Sequence, residues 1–236
     1  MSGSYPKIAL EILREEGPRE LSRQSQKYIR FHFVDKPKLW LKYREIRPKP
    51  REVFRVDPKE IEYRIGKIHI PNDAPPYGII DGNWDLNKSH WKEGFFYGLI
   101  ERFEEGKKWE DTVYYQKGLE KVQSGKNFGP LGNSQTVPAL KRYLSSLDEL
   151  YEDIKQNGYD TSSIIKVHIG RDGELMVKHG NHRLTIARLT DVDEVPVRIQ
   201  YRHKKWQELR ADVFNNGFTE DHEEIRDHPD LQETLE

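Results

Sequence analysis

The sequence predicts an α/β (α+β) protein with a small mixed sheet and flanking helices. Short apolar segments that suit strands alternate with amphipathic segments that suit helices along most of the 236 residues. Two of the predicted strands are separated only by a tight turn, Arg171-Asp172-Gly173, which is typical of a β-hairpin. The aromatic share of 11% is that of a folded chain, because disordered chains lack aromatic residues.

The first 50 residues form a basic, aromatic accessory arm. Aromatic and basic residues interleave from Tyr28 to Arg44, and the prolines of Arg47-Pro48-Lys49-Pro50-Arg51 then predict an extended linker, since neither fits inside a helix. Interleaving of this kind can bind single-stranded nucleic acid by stacking and phosphate contacts, with Arg30, Lys36 and Lys42 as the candidate bases. The commoner arrangement is a helix whose aromatic side chains pack on a core while its basic side chains stay solvated.

Two strand-forming segments follow the arm. Residues 53–70 predict strand-rich structure. The apolar part of Tyr77–Asp85 predicts a short strand that ends in a polar turn, and this turn presents Asp81 and Asp85.

Two helices and a long loop come next. The helices are predicted at residues 91–105 and 110–122 from their apolar periodicity. Residues 124–138 are rich in Gly, Asn and Pro, which predicts a loop. Loops of that length in a compact domain tend to be functional or mobile.

The elements follow in a regular order from residue 140. We expect a helix at 140–157, strands at 164–169 and 174–177, a helix at 182–189 and a strand at 195–201. Residues 207–236 carry a net charge of −8, whereas residues 1–70 carry +7. The sequence therefore predicts an acidic C-terminal tail after the last strand.

A strand runs directly into a helix through the segment Lys178-His179-Gly180-Asn181-His182-Arg183. The first N–H groups of a helix have no partner within it and lie at the positive end of its dipole, which favours an anion. Gly180 allows close approach of the backbone, Asn181 suits the N-cap, and Arg183 offers a fork of donors to phosphate oxygens. The segment predicts a phosphate site, while a capped helix with solvated side chains has the same pattern.

This arrangement resembles the ParB/sulfiredoxin superfamily. Its members have a helix ending in a Gly turn, a strand, a hairpin, a second strand, a Gly-x-x-Arg turn that opens a helix, and a small strand with Val-Pro-Val. The same order is present in LYEDIKQNGYDTSSIIKVHI and RDGELMVKHGNHRLTIARLTDVDEVPVRI, within residues 140–201. The resemblance implies that the phosphates of ATP, ADP or CTP are held by the turn, that is by Lys178, His179, Gly180, Asn181, His182 and Arg183.

Two functions that superfamily members perform with this turn do not fit the chain. Sulfiredoxin needs a Cys inside the turn, where Asn181 stands here, and the chain has no Cys. ParB proteins carry a helix-turn-helix domain after this core, whereas only about 35 residues, with a net negative charge, follow it here. His182 matches the turn of sulfiredoxin and of the free serine kinases. The resemblance therefore favours phosphoryl transfer or NTP hydrolysis, and the alternative is a ParB-like nucleic-acid clamp or nuclease.

The catalytic groups are expected in an insertion at residues 71–139, which the resemblance leaves unmatched. Phosphoryl transfer depends on positioning and charge neutralisation, commonly with Mg²⁺ held by carboxylates. Asp81 and Asp85 are the first candidates, as catalytic groups and as Mg²⁺ ligands, and Glu110 is the second. His182 is a further catalytic candidate. Each carboxylate also suits a plain turn or helix cap.

These predictions divide the chain into an arm at 1–50, a ParB/sulfiredoxin-like domain at 51–206 and an acidic tail at 207–236. In the long loop, Lys126 and Asn127 are candidates to close over a bound nucleotide. No apolar run is long enough for a transmembrane helix and no secretory signal is present, so we expect a cytoplasmic protein without a membrane span. The expected partners are a nucleotide and either a small-molecule acceptor or nucleic acid. Formation of a homo-oligomer is left open.

Overall fold

The short apolar segments of the chain assemble into a mixed sheet. The structure is a computed structural model that describes residues 18–49, 52–65, 77–129 and 134–232. Within these ranges the sheet has seven strands: β1 (Phe54–Val56), β2 (Tyr63–Ile65), β3 (Gly78–Ile80), β4 (Lys88–His90), β5 (Ile165–Ile169), β6 (Leu175–His179) and β7 (Val195–His203). Their order is β1-β7-β5-β6-β2-β4, and β3 pairs with the end of β7.

The hairpin predicted around Arg171-Asp172-Gly173 is at the centre of this sheet. Strands β5 and β6 are antiparallel, and β5 runs parallel to β7 on its other side. Gly173 adopts a φ of +93°, which only glycine adopts without strain. The predicted mixed α/β class is confirmed, and the ParB/sulfiredoxin form of it stays a prediction.

The strand directions define two opposite ends of the sheet. The start of β5 lies opposite the end of β6, so the turn after His179 is at this end. The end of β5 lies beside Arg202 of β7, and β3 runs parallel to the same stretch, with Ile80 opposite His203. The loop that follows β3 is therefore at the hairpin end, away from the turn at Gly180.

Helices surround the sheet and begin and end at local signals. They are α1 (Pro18–Arg30), α2 (Lys36–Tyr43), α3 (Tyr97–Phe103), α4 (Val113–Gln123), α5 (Val137–Asn157), α6 (Asn181–Leu189), α7 (Lys204–Asn216) and α8 (Pro229–Gln232). The Thr136 hydroxyl accepts a hydrogen bond from the Ala139 amide at the start of α5, and Gly158, with a φ of +78°, ends that helix. The helix predicted at 91–105 is wrong in its first part, where Gly94–Phe96 form a 3₁₀ turn. No helix in the described ranges combines the length and the apolar character needed to cross a bilayer.

Three apolar clusters hold the described elements together, and the smallest consists of Ile65, Ile80, Trp84, Met176 and Tyr201. The first lies between the sheet and helices α6 and α7, and includes Ile165, Val167, Leu184, Val197 and Trp206. The second is formed mainly by the predicted insertion and α5, and includes Phe96, Leu99, Trp109, Tyr114, Phe128, Leu140 and Leu144. The later part of the insertion, with α3 and α4, therefore forms a helical layer on α5 with a core of its own, whereas β3 and β4 belong to the sheet.

The C-terminal segment is an integral part of the fold and not a separate tail. The boundary predicted between residues 206 and 207 falls inside α7, whose buried side chains include Trp206 and Arg210. The Asp230 carboxylate is buried and accepts hydrogen bonds from Arg202 Nε at 2.9 Å and Trp206 Nε1 at 2.8 Å. The prediction from charge alone is corrected, because Val213 and Leu231 of this acidic segment are buried as well.

The N-terminal arm is helical in its described part and contacts the domain. Residues 1–17 of the arm lie outside the described residues, as do 50–51, 66–76, 130–133 and 233–236. Phe31 is fully buried, and its ring centroid is 4.6 Å from that of Tyr77. The Ile46 carbonyl accepts hydrogen bonds from Gln207 Nε2 at 3.0 Å and Arg210 Nη1 at 2.9 Å. The arm is thus fixed to the domain along one of its faces and at its end.

Candidate functional site

Gly180 ends β6 and forms the N-cap of α6. Its φ of +98° lies in the left-handed region, and a Cβ there would come within 3.2 Å of Ile165 Cγ1. Asn181 is the first residue of α6 and not the N-cap that the sequence suggested, because the left-handed conformation belongs to the glycine before it. The amides of residues 181–183 have no acceptor among the described residues. They are therefore available to bind an anion.

His182 points into the aromatic cluster of the insertion. Its Nε2 lies 2.6 Å from Tyr114 Oη and 3.0 Å from Tyr143 Oη. Burial lowers the pKa of the imidazole to about 4 and raises the pKa of the Tyr143 hydroxyl to about 12. At neutral pH His182 is uncharged and both hydroxyls are protonated. His182 therefore positions the turn by hydrogen bonds and adds no positive charge to it.

A cavity of about 620 Å³ lies between the turn and helices α4 and α5. One wall consists of all six residues of the predicted turn, 178–183. The adjoining wall is aromatic, and its rings belong to Phe95, Phe96, Tyr114, Phe128 and Tyr143. Asn127 of the long loop also lines the cavity, whereas Lys126 is not among its lining residues. The volume is in the range of sites for small molecules, which is ~300–1,000 Å³.

Three cations line the cavity without a carboxylate partner. They are Lys121 of α4, Lys178 of β6 and Arg183 of α6, and none forms an ion pair with another described residue. The pKa of the exposed His179 is lowered by partial burial and by the charges of Lys166 and Lys178. That second effect shows a positive potential at the turn, which is the potential that a phosphate group requires.

The carboxylates expected to approach the turn lie elsewhere. Asp85 is 1% exposed and is bound by Arg171, whose Nε is 2.9 Å from Oδ2 and whose Nη2 is 2.8 Å from Oδ1. Although burial opposes the charge, the hydrogen bonds from Arg171 lower the pKa of Asp85 to about 2. Asp81 accepts hydrogen bonds from Lys204 Nζ at 3.1 Å and from the Gly82 amide at 2.8 Å.

The direction of β3 explains this placement. Because β3 runs parallel to the last residues of β7, Asp81 and Asp85 follow it at the hairpin end of the sheet. The expectation that this pair supplies a catalytic group or a Mg²⁺ site at the turn does not hold. Both oxygens of Asp85 are engaged by Arg171, so the residues do not fit the expected metal site.

Glu110 is close to the insertion core but does not line the cavity. Its exposed carboxylate forms an ion pair with Lys141 Nζ at 3.0 Å, at the start of α5. The hydrogen bond from Lys141 lowers the pKa of Glu110. Among the described residues, no Asp or Glu lines the cavity, which is bounded by cations, neutral polar groups and aromatic rings.

Sequence reasoning missed the aromatic wall and one cation of the site. Tyr114 and Tyr143 are 68 and 39 positions from His182, so no local pattern connects them with the turn. Lys121 is a residue of α4, and its sequence context does not distinguish it from a solvated lysine of any helix. The available signal was the length of the loop at 124–138, which pointed to Asn127 as a residue near the ligand.

Comparisons with known proteins give no family assignment. No family model, curated protein or solved structure matches this chain. The geometry of the cavity therefore carries the functional argument.

Proposed function

We propose that this chain binds a nucleotide in the 620 Å³ cavity, with the phosphates on the turn at residues 178–183 and the base on the aromatic wall. One observation carries the proposal. A single cavity combines three cations, which have no carboxylate partner among the described residues, and a wall of aromatic rings. A ligand for it needs an anionic end and a flat apolar end, and a nucleotide has both.

The phosphate end is supported by backbone and side-chain donors together. The amides at the start of α6 bind oxygens at the positive end of the helix, and Arg183 follows within the same turn. Lys178 and Lys121 add charge from two other elements. The positive φ of Gly180 lets the backbone approach the ligand without an intervening Cβ.

The base end is supported by rings, and the turn itself carries one buried acceptor. Phe95 and Phe128 line the cavity with their ring centroids 5.8 Å apart, and aromatic rings of this kind stack on bases. Asn181 Oδ1 is buried without a hydrogen-bond partner. A hydroxyl or amino group of the ligand would satisfy this oxygen, since buried acceptors are nearly always paired.

The same site is proposed to act by phosphoryl transfer to a small molecule or by NTP hydrolysis, as the ParB/sulfiredoxin resemblance suggests. Charge neutralisation is a main requirement of that chemistry, and the three cations provide it. The cavity offers no carboxylate as a base or metal ligand among the described residues, so the proposal assigns no step to Asp81, Asp85 or Glu110.

The nucleic-acid alternative has weaker support. Two of its three candidate bases are in long, exposed ion pairs, Arg30 with Asp35 at 3.7 Å and Lys42 with Glu208 at 3.8 Å. Surface pairs of this kind contribute little and are screened by salt, so the bases stay accessible. Nothing in the described part of the arm, residues 18–49, selects nucleic acid over other anionic partners.

Calorimetric titration with ATP, ADP, CTP and GTP, each with and without Mg²⁺, tests the proposal. We expect at least one nucleotide to bind, and Arg183→Gln and Lys178→Gln each to weaken that binding roughly 10- to 100-fold, the effect of losing a charge-assisted hydrogen bond. Arg226→Gln and Lys117→Gln each remove one positive charge at a position that does not line the cavity, and they should leave affinity unchanged. Absence of binding for all four nucleotides contradicts the proposal, and release of phosphate from the bound nucleotide tests the chemical step.

A further inference from the structure

The arm exposes an apolar ridge that the nucleotide site does not explain. Of the ten large apolar side chains that are exposed among the described residues, five lie between positions 29 and 41. They are Ile29, Phe33, Val34, Trp40 and Leu41, and Phe33 is 78% and Leu41 69% exposed. Clustered exposure on this scale is unusual for a surface without a partner.

The ridge follows one face of a continuous helix. A π-helical turn, Phe31–Asp35, joins α1 to α2. Ile29, Phe33, Pro37 and Leu41 recur every fourth residue, and the wider π turn keeps them in line. Phe31 and Tyr43 are buried on the domain side of the same helix. The arm is thus anchored by one face and presents a ridge about 18 Å long on the other, at 1.5 Å per residue.

Basic side chains flank this ridge. Lys36 and Lys38 are exposed and form no ion pair with another described residue. Lys42 differs from them, since its Nζ lies 3.8 Å from Glu208 Oε1 and 4.7 Å from the ring centroid of the buried Tyr43, on the domain side. The ridge therefore combines Trp, Phe and Leu with lysines, the composition of a helix that lies in the interface of a bilayer.

The composition of the ridge distinguishes lipid from the other occupants. The core of a protein–protein interface is depleted of lysine and other charged residues, whereas exposed lysines lie beside the apolar side chains of the ridge. Single-stranded nucleic acid would use the rings of Phe33 and Trp40 but would gain little from Ile29 and Leu41. The boundary region of a bilayer accepts aliphatic and aromatic side chains without a fixed shape.

We propose that the arm docks this protein on an anionic lipid surface, with Ile29, Phe33, Trp40 and Leu41 inserted among the headgroups and with Lys36 and Lys38 bound to their negative charges. The binding is peripheral and independent of the nucleotide site. It depends on both parts of the ridge, because a few apolar side chains alone give marginal and reversible attachment.

Flotation of the full chain with vesicles tests this docking. We expect binding to vesicles that contain phosphatidylglycerol and little binding to pure phosphatidylcholine. Lys36→Gln with Lys38→Gln should weaken it roughly 30-fold, from about 1 kcal/mol per charge near an anionic surface. Phe33→Ser with Trp40→Ser should abolish it. Phe214→Ser, which changes an exposed ring on α7, and Lys117→Gln with Lys155→Gln are the matched controls and should bind as the natural chain does.

Each alternative occupant gives a distinct result. Equal binding to both kinds of vesicle, or unchanged binding by the Phe33/Trp40 variant, overturns the docking proposal. If vesicles are not bound, two further results also overturn it. One is selective binding of single-stranded DNA or RNA that the lysine variant loses. The other is a dimer in light scattering that the Phe33/Trp40 variant dissociates. Unfolding curves of all variants should match the natural chain, because the substituted side chains are exposed.

Discussion

Tyr143 Oη lies 3.0 Å from His182 Nε2 and joins the first half of α5 to the first turn of α6. Tyr114 completes a triangle, since its hydroxyl is 3.0 Å from that of Tyr143 and 2.6 Å from the imidazole. This triangle connects the helical layer of the insertion to the phosphate-binding turn. A charge on the imidazole would have to be accommodated among these neutral groups and the ring of Phe96, 5.2 Å away.

The pH dependence of the free energy of unfolding should therefore contain a contribution from the protonation of His182. The pKa of this group is lowered from 6.5 to about 4 by burial, so the unfolded chain binds its proton at a higher pH than the folded chain does. The associated stability is complete above pH 6.5 and is lost as the pH falls towards 4, by about 3 kcal/mol in total. Urea unfolding between pH 7 and pH 4 measures it.

His182→Gln separates this effect from other groups. The variant should be less stable than the natural chain at pH 7 but should lose less of its stability on acidification. His168, whose pKa burial lowers to about 3, remains in both proteins and provides a common background. Identical slopes for the two proteins would show that His182 is already charged in the folded state.

Asp85→Asn should destabilise the fold and leave nucleotide affinity intact. The substitution removes the charge that a nearly buried carboxylate offers to Arg171 and loosens the link between the β3 loop and the hairpin. We expect a Tm lower by roughly 5 °C. Asp81→Asn, on the exposed neighbour, should change Tm little. If a folded Asp85→Asn protein lost nucleotide binding, this carboxylate would have to be part of the nucleotide site.

Gly180→Ala should weaken both stability and phosphate binding. The φ of +98° strains any side chain, and the new Cβ would meet Ile165 Cγ1 at 3.2 Å. We expect a loss of about 1–2 kcal/mol in the free energy of unfolding. Gly125→Ala is the control for strain alone, since its φ is +71° and nothing lies within 4 Å of its Cβ position. Equal effects on nucleotide affinity in the two variants would argue against the turn as the phosphate site.

Local signals predicted the half of the site that lies within one stretch of sequence. The hairpin turn, the glycine after β6 and the apolar periodicity of α5 each depend on neighbouring residues, and the predicted elements from 140 to 201 agree with α5, β5, β6, α6 and β7 to within a few positions. The aromatic wall depends on contacts between distant residues, such as Tyr114 with His182. Hydrophobic periodicity shows that such a ring is buried but not which turn it faces.

Strand direction is the second kind of information that the sequence lacked. Asp81 and Asp85 follow an apolar strand, as active-site carboxylates often do, and only the parallel pairing of β3 with the last residues of β7 places them at the wrong end. The C-terminal segment shows the same limit. Its composition predicts a solvated tail, whereas the buried Leu231 and the Asp230 carboxylate, bound by Arg202 and Trp206, fix it to the domain.

The hydrogen bonds at the Ile46 carbonyl have a consequence for the order in which the chain folds. The donors, Gln207 and Arg210, are 161 and 164 positions away, and Arg210 Nε also binds the Asp230 carbonyl at 2.9 Å. Contacts of such separation form late, because the entropy of closing so large a loop is recovered only after the intervening sheet exists. We expect the arm to reach its native position last in refolding and to be released first on unfolding. Its protease-sensitive sites would then open before the central hairpin does.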